Sequence, residues 1–167
     1  MFTSIADFVT IWQQESESTL KFLGQLTDKS LSQPIKEDFR TLGRIAWHIA
    51  TSITEMMPKT GLSLKGPDPE APVPESATEI RAAYETASNS LLEQVKSQWT
   101  DETLQVEDDM YGYNWKRGYS LFILIIHQTH HLGQMSVLMR QAGLKVPGIY
   151  GPSKEEWAQF GMQEPEV

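Results

Sequence analysis

The sequence predicts an all-α protein: a four-helix bundle with a long crossover connection and a short C-terminal helix. Three observations carry this. Four long segments each repeat apolar residues at spacings of three and four, the period of a helix with one buried face. Between the second and third lies "PKTGLSLKGPDPEAPVPES", with five prolines and two glycines, too long for a tight turn between neighbouring helices. The fourth segment is apolar nearly all round and still carries three of the four histidines. At 167 residues, 40% of them hydrophobic, residues 1–167 read as one helical domain with a single sizeable core.

The first helix runs roughly from Ser4 to Leu26. Ile5, Phe8, Val9, Trp12, Leu20 and Leu23 form its stripe, and Ser4 with Asp7 resembles a capping pair. The second runs roughly from Thr41 to Met57, with Leu42, Ile45, Ala46, Ile49, Ile53 and Met56 on one face and Pro58 as its stop. The Pro-rich stretch then crosses an end of the bundle or covers a site. Ser76 and Glu79 form a capping box for the third helix. Its face is Ile80, Ala83, Tyr84, Ala87, Leu91 and Val95, ending near Trp99. Val106 to Trp115, with Gly112 inside, suggests an extended segment or a small hairpin. The fourth helix spans roughly Gly118 to Ala142, stopped by Gly143, and should be the most buried. Ser153 and Glu156 resemble a second capping box, for a short C-terminal helix.

The composition removes several function classes. A net charge of −8 repels phosphate backbones and anionic lipid, so neither nucleic acid nor a membrane surface is an expected partner. With no cysteine, thiolate ligands and a protein-borne thiol nucleophile are excluded. That suits a reducing cytoplasm, and "MFTSIADFVTIWQQESES" lacks the basic start and continuous apolar run of a signal peptide. "YSLFILIIHQTHHLGQMSVLM" has the length of a membrane span, but three histidines and two glutamines in it argue for a buried core helix.

His127 and His131 lie four apart, about 40° of rotation and one helical turn, so both rings project from one face. Two imidazoles so placed can converge on one ion at about 2.1 Å from each nitrogen. Gln134 shares that face, whereas His130 points about 100° away and reads as a core or interface residue. A third ligand must come from elsewhere, and the only other histidine is His48, at the flank of the second helix's stripe. The three can face a common point if the second and fourth helices are neighbours. The plainer alternative, that buried histidines satisfy local hydrogen bonds and bind nothing, stays open on the residues alone.

"HQTHHLGQM", of the form H-x-x-x-H-x-G-Q, resembles the fourth-helix signature of the DinB-like (YfiT-like) metalloproteins. "LGRIAWHIA" resembles their second-helix motif, "WKRGYSLFILIIHQTHH" their entry into the last helix, and "VPGIYGPSKEEWAQF" the tail of many members. The resemblance spans essentially the whole chain. It implies a four-helix bundle with a crossover, commonly a homodimer, with a divalent transition metal held by His48, His127 and His131. Gln134 would orient a ligand or pack against the helix.

Three neutral imidazoles leave coordination positions open, the mark of a catalytic rather than a structural site. Zinc and nickel both suit imidazole. The expected function is a metal-dependent enzyme acting on a small-molecule substrate, with the ion activating a low-molecular-weight thiol for S-transfer or a water for hydrolysis. The alternative is a non-catalytic, dimeric, metal-containing stress-response or interaction module; a third reading leaves the histidines without an ion. Glu55 is a candidate fourth ligand or base, and Arg117 a candidate for binding a substrate carboxylate. Asp108 and Asp109 read as a solvated turn. Trp47, Tyr113 and Trp115 could line a pocket. Ion binding should weaken as pH falls through about 6, because protonated imidazole cannot coordinate.

Overall fold

A computed structural model describes residues 1–166. Four helices dominate it: α1 (Ile5–Leu23), α2 (Leu42–Met56), α3 (Ala77–Gln98) and α4 (Arg117–Gln141). A two-stranded hairpin, β1 (Glu107–Met110) and β2 (Tyr113–Lys116), precedes α4.

Capping residues set the helix starts. The hydroxyls of Ser4, Thr41 and Ser76 accept from the amides of Asp7, Arg44 and Glu79 respectively, each satisfying an amide with no partner inside its helix. Only this half of the predicted Ser76/Glu79 box forms. A reciprocal box does form where none was expected, between Thr27 and Ser30. It starts a short 3-10 turn, Asp28–Ser32, in the α1–α2 connection. Leu31 of that turn lies directly on Gly43: a Cβ added there would sit 2.9 Å from the Leu31 Cβ. The turn is thereby clamped to the start of α2.

The Pro-rich connection is a true crossover. It runs back along α2, held by Thr54 Oγ1 donating to the Pro67 carbonyl at 2.7 Å and Trp47 Nε1 donating to the Ala71 carbonyl at 3.1 Å. It delivers the start of α3 to Asp28, whose carboxylate accepts from the Ala77 amide at 2.8 Å. Since the turn holding Asp28 sits on the start of α2, α2 and α3 run parallel. α1 runs antiparallel to α3, with its Ile5 amide on Asp101 and Trp12 Nε1 on the Ser88 carbonyl. It runs parallel to α4, tied by the Phe2 amide on the Gly118 carbonyl at 3.0 Å. The order around the bundle is α1, α3, α2, α4, so α2 and α4 are neighbours.

The hairpin turns on Tyr111 and Gly112, both at positive φ (60° and 84°), the signature of a two-residue type I′ turn. Asp109 accepts from the Gly112 amide at 2.8 Å, a role in turn closure.

One expectation needs correction. α4 is not the most buried helix: eleven of its 25 residues are buried, against eleven of 15 in α2. Its apolar circumference exceeds the bundle's interior, and Ile126 and Val137 remain exposed. The expected short C-terminal helix is a single 3-10 turn, Trp157–Phe160. The Glu156 carboxylate accepts from the amides of both Gly148 and Ser153, which folds the tail on itself. No described helix is long and apolar enough to cross a membrane.

Candidate metal centre

The antiparallel contact of α2 and α4 brings His48, His127 and His131 together. One nitrogen of each ring lies within 4.8 Å of the others, and the Nε2 atoms of His48 and His127 are 3.0 Å apart. Tetrahedral ligation at about 2.1 Å would set nitrogens about 3.4 Å apart, inside that span. His131 is buried; His48 and His127 are half-buried.

A relay on α4 orients the ring of His131. Its Nδ1–H donates to Gln134 Oε1 at 2.7 Å, and Gln134 Nε2 donates onward to His130 Nε2 at 3.0 Å. The lone pair of His131 therefore rests on Nε2, which is buried with no hydrogen-bond partner. An orphaned buried acceptor is costly, so the plainer reading of satisfied core histidines does not describe His131. These residues fit an ion: three imidazole nitrogens converge, and one is otherwise wasted. His130 is exposed rather than a core residue; its role is to receive the Gln134 amide.

Electrostatics keep the rings neutral. Burial holds His48 down to about 4, aided by repulsion from His131 and His127 and from Arg40 and Arg44. Burial also lowers His127, with His131, His130 and Arg40 adding to it. His131 is lowered by burial against the opposing Gln134 hydrogen bond, with His130 and Arg40 contributing. Neutral imidazole is the form that binds a metal.

The other candidates sit elsewhere. Arg117 makes a bidentate pair with Asp108, Nε to Oδ2 at 2.9 Å and an Nη to Oδ1 at 3.2 Å, with its guanidinium over the Trp99 ring. It locks the hairpin to the start of α4, ten residues or roughly 15 Å along the helix from His127. Asp108 is thus an ion-pair partner, not part of a solvated turn. Glu55 is exposed and accepts the Tyr111 hydroxyl at 2.8–2.9 Å; among the described residues, no carboxylate joins the three imidazoles. Trp47 anchors the crossover, Trp115 packs between Tyr111 and Tyr119, and Tyr113 is exposed.

Sequence reasoning overlooked Arg40, whose charge acts on all three imidazoles. Its signal was position: it closes the charged, apolar-flanked loop "PIKEDFR" directly before the cap of α2.

Similarity to known proteins agrees with this architecture. The uncharacterized protein YrdA of Bacillus subtilis strain 168 is 48% identical over 167 residues, covering all of both chains. The crystal structure of a DinB-like protein from Bacillus cereus ATCC 10987 superposes with a TM-score of 0.87 at 46% identity, covering 90% of this chain and 100% of that one. A second DinB-like protein, YjoA of B. subtilis, superposes at 0.67 with 19% identity, covering 86% and 97% respectively, a likeness of fold alone. The DinB family profile matches residues 1–166. On sequence and fold alike, the chain belongs to the DinB family.

Proposed function

We propose that His48, His127 and His131 hold one divalent transition metal ion, zinc or nickel, and that the protein is a metal-dependent enzyme. Its reaction is the activation of a small nucleophile, either a low-molecular-weight thiol for S-transfer or a water for hydrolysis. The observation that carries this reading is the buried, partnerless Nε2 of His131 beside two further rings held neutral. Such an ion supplies Lewis acidity, which lowers the pKa of a water or thiol bound to it.

The chain's own residues divide the remaining work. Gln134 orients the His131 ring and raises the basicity of its free nitrogen. Arg40 adds positive charge beside the rings, which disfavours their protonation and favours anionic reactants. With no cysteine in the chain, no internal thiol competes with an external one. We read the protein as a cytoplasmic homodimer with a small-molecule substrate; its net charge of −8 makes nucleic acid and anionic membranes poor partners.

The test is metal analysis of untagged protein. One ion per chain, lost in His127→Ala, is expected. Failure to take up zinc or nickel at neutral pH removes the reading. Turnover is then sought with small thiols and an electrophilic acceptor, and a loaded site that turns over neither thiol nor ester substrates leaves a binding module.

A further inference from the structure

Beside the histidine cluster lies a groove of about 690 Å³ between α2, α4 and the loop before α2. That volume suits a small organic molecule. Its walls are apolar: Ile35 and Phe39 from the loop, Ile45 from α2, and Val137 and Leu138 from α4. Ile35, Phe39 and Val137 are 56%, 60% and 48% exposed, an unusual cost for large apolar side chains grouped on one surface.

Three polar side chains line the same groove: Arg40, His130 and Gln134. The last two are already bonded to each other, and through Gln134 to His131. The groove wall is therefore the outer layer of the histidine site. Arg40 differs. Among the described residues its guanidinium makes no ion pair, as is also true of Arg44 and Arg81, whereas Arg117 and Arg140 are each bound to a carboxylate; of the unpaired three, Arg40 alone lines the groove. A guanidinium prefers a planar, bidentate acceptor such as a carboxylate.

We propose that this groove is a ligand-binding cleft adjoining the histidine site and takes a small carboxylate with an apolar body. The carboxylate pairs with Arg40, and an aryl or alkyl body lies on Phe39, Ile35 and Val137. A single guanidinium in a chain of net charge −8 matches one negative charge rather than a dianionic phosphate. The arrangement places a bound molecule against His130 and Gln134, on the outer side of the relay that orients His131; His48, His127 and His131 do not themselves line the groove. The proposal rests on the metal-site reading for its chemistry, but the binding itself stands on the groove alone.

The experiment titrates 4-phenylbutyrate into the full-length, metal-free protein by calorimetry and ligand-observed NMR. Acetate and 4-phenylbutan-1-ol serve as the charge-only and body-only controls. Saturable binding of 4-phenylbutyrate is expected, weakened about tenfold in Arg40→Gln, as for a lost charge-assisted hydrogen bond. Val137→Glu, which adds a negative charge to the groove, should weaken it further, while the alcohol should be indifferent to Arg40→Gln. Absence of saturable binding, or binding unchanged by both substitutions, overturns the proposal, as does a second copy of the chain covering the groove and blocking the probe. Repeating the titration with nickel-loaded protein separates the two readings. Arg40-dependent binding in a protein that takes up no nickel keeps the cleft and removes the metal; nickel uptake without probe binding does the reverse.

Discussion

Two polar clusters occupy opposite ends of the α2–α4 contact, and they treat their polar atoms differently. At the hairpin end, Arg117 is closed onto Asp108 and Glu55 onto the Tyr111 hydroxyl. Asp109 is used on the Gly112 amide. At the histidine end, His48 and His127 share one Nε2···Nε2 hydrogen bond at 3.0 Å, but His131 Nε2 has no partner, and Arg40 makes no ion pair among the described residues. The first cluster is spent on holding a hairpin to a bundle. The second keeps donor capacity in reserve, at a cost to stability that a bound group would offset. Charge and residue type alone rank the two ends alike; satisfaction of hydrogen bonds separates them.

The contrast can be broken most forcefully at the ligands. His48→Ala or His127→Ala should lower affinity for zinc or nickel by more than about 100-fold, the upper range for loss of an outer partner, measured by competition with a chromogenic chelator. Arg117→Ala should leave that affinity unchanged; if it too abolished binding, the two ends would be coupled and the division drawn here would be wrong. Gln134→Leu should weaken metal affinity by about 10- to 100-fold with little change in the denaturant midpoint.

Arg117→Ala sharpens the other side. It leaves Asp108, 14% exposed, without its partner. Fully buried pairs lose about 3–5 kcal/mol when broken; partial solvent access reduces this to about 1–3 kcal/mol, read from urea unfolding.

Acidification tests the histidine end alone. His48 is held near 4 in the folded protein, against 6.5 for an ordinary imidazole. Between those values the unfolded chain binds more protons, so stability rises with pH there. The contribution is complete above about 6.5 and is lost as pH falls toward 4, measured as the urea midpoint of the metal-free protein. A midpoint flat across that window would contradict the burial of the rings. Ion release should likewise fall below the pH of about 6 expected for ordinary imidazoles. The smallest effect belongs to Glu55→Gln, which keeps an acceptor for Tyr111. Stability should move by less than about 0.5 kcal/mol and metal affinity not at all; a large loss of affinity would restore Glu55 as a functional carboxylate.

Periodicity and punctuation placed all four helices, because an amphipathic helix writes its buried face into spacings of three and four. Their ends were less exact: α1 stops at Leu23, not Leu26, since Gly24 and the Thr27–Ser30 box redirect the chain. The i, i+4 spacing of His127 and His131 is local geometry, so any α4 helix presents both rings together. The length and proline content of the connection argued for a crossover before any coordinates did, and it joins two neighbouring helices that run parallel. What the chain order could not contain is which helices touch. Whether His48 reaches the α4 pair, whether Arg117 is free or closed onto Asp108, and whether Arg40 stands unpaired beside an apolar groove all depend on contacts between residues far apart in sequence. Those contacts follow from the packing of the whole bundle, because a helix face selects its partner by burial of area and not by position along the chain.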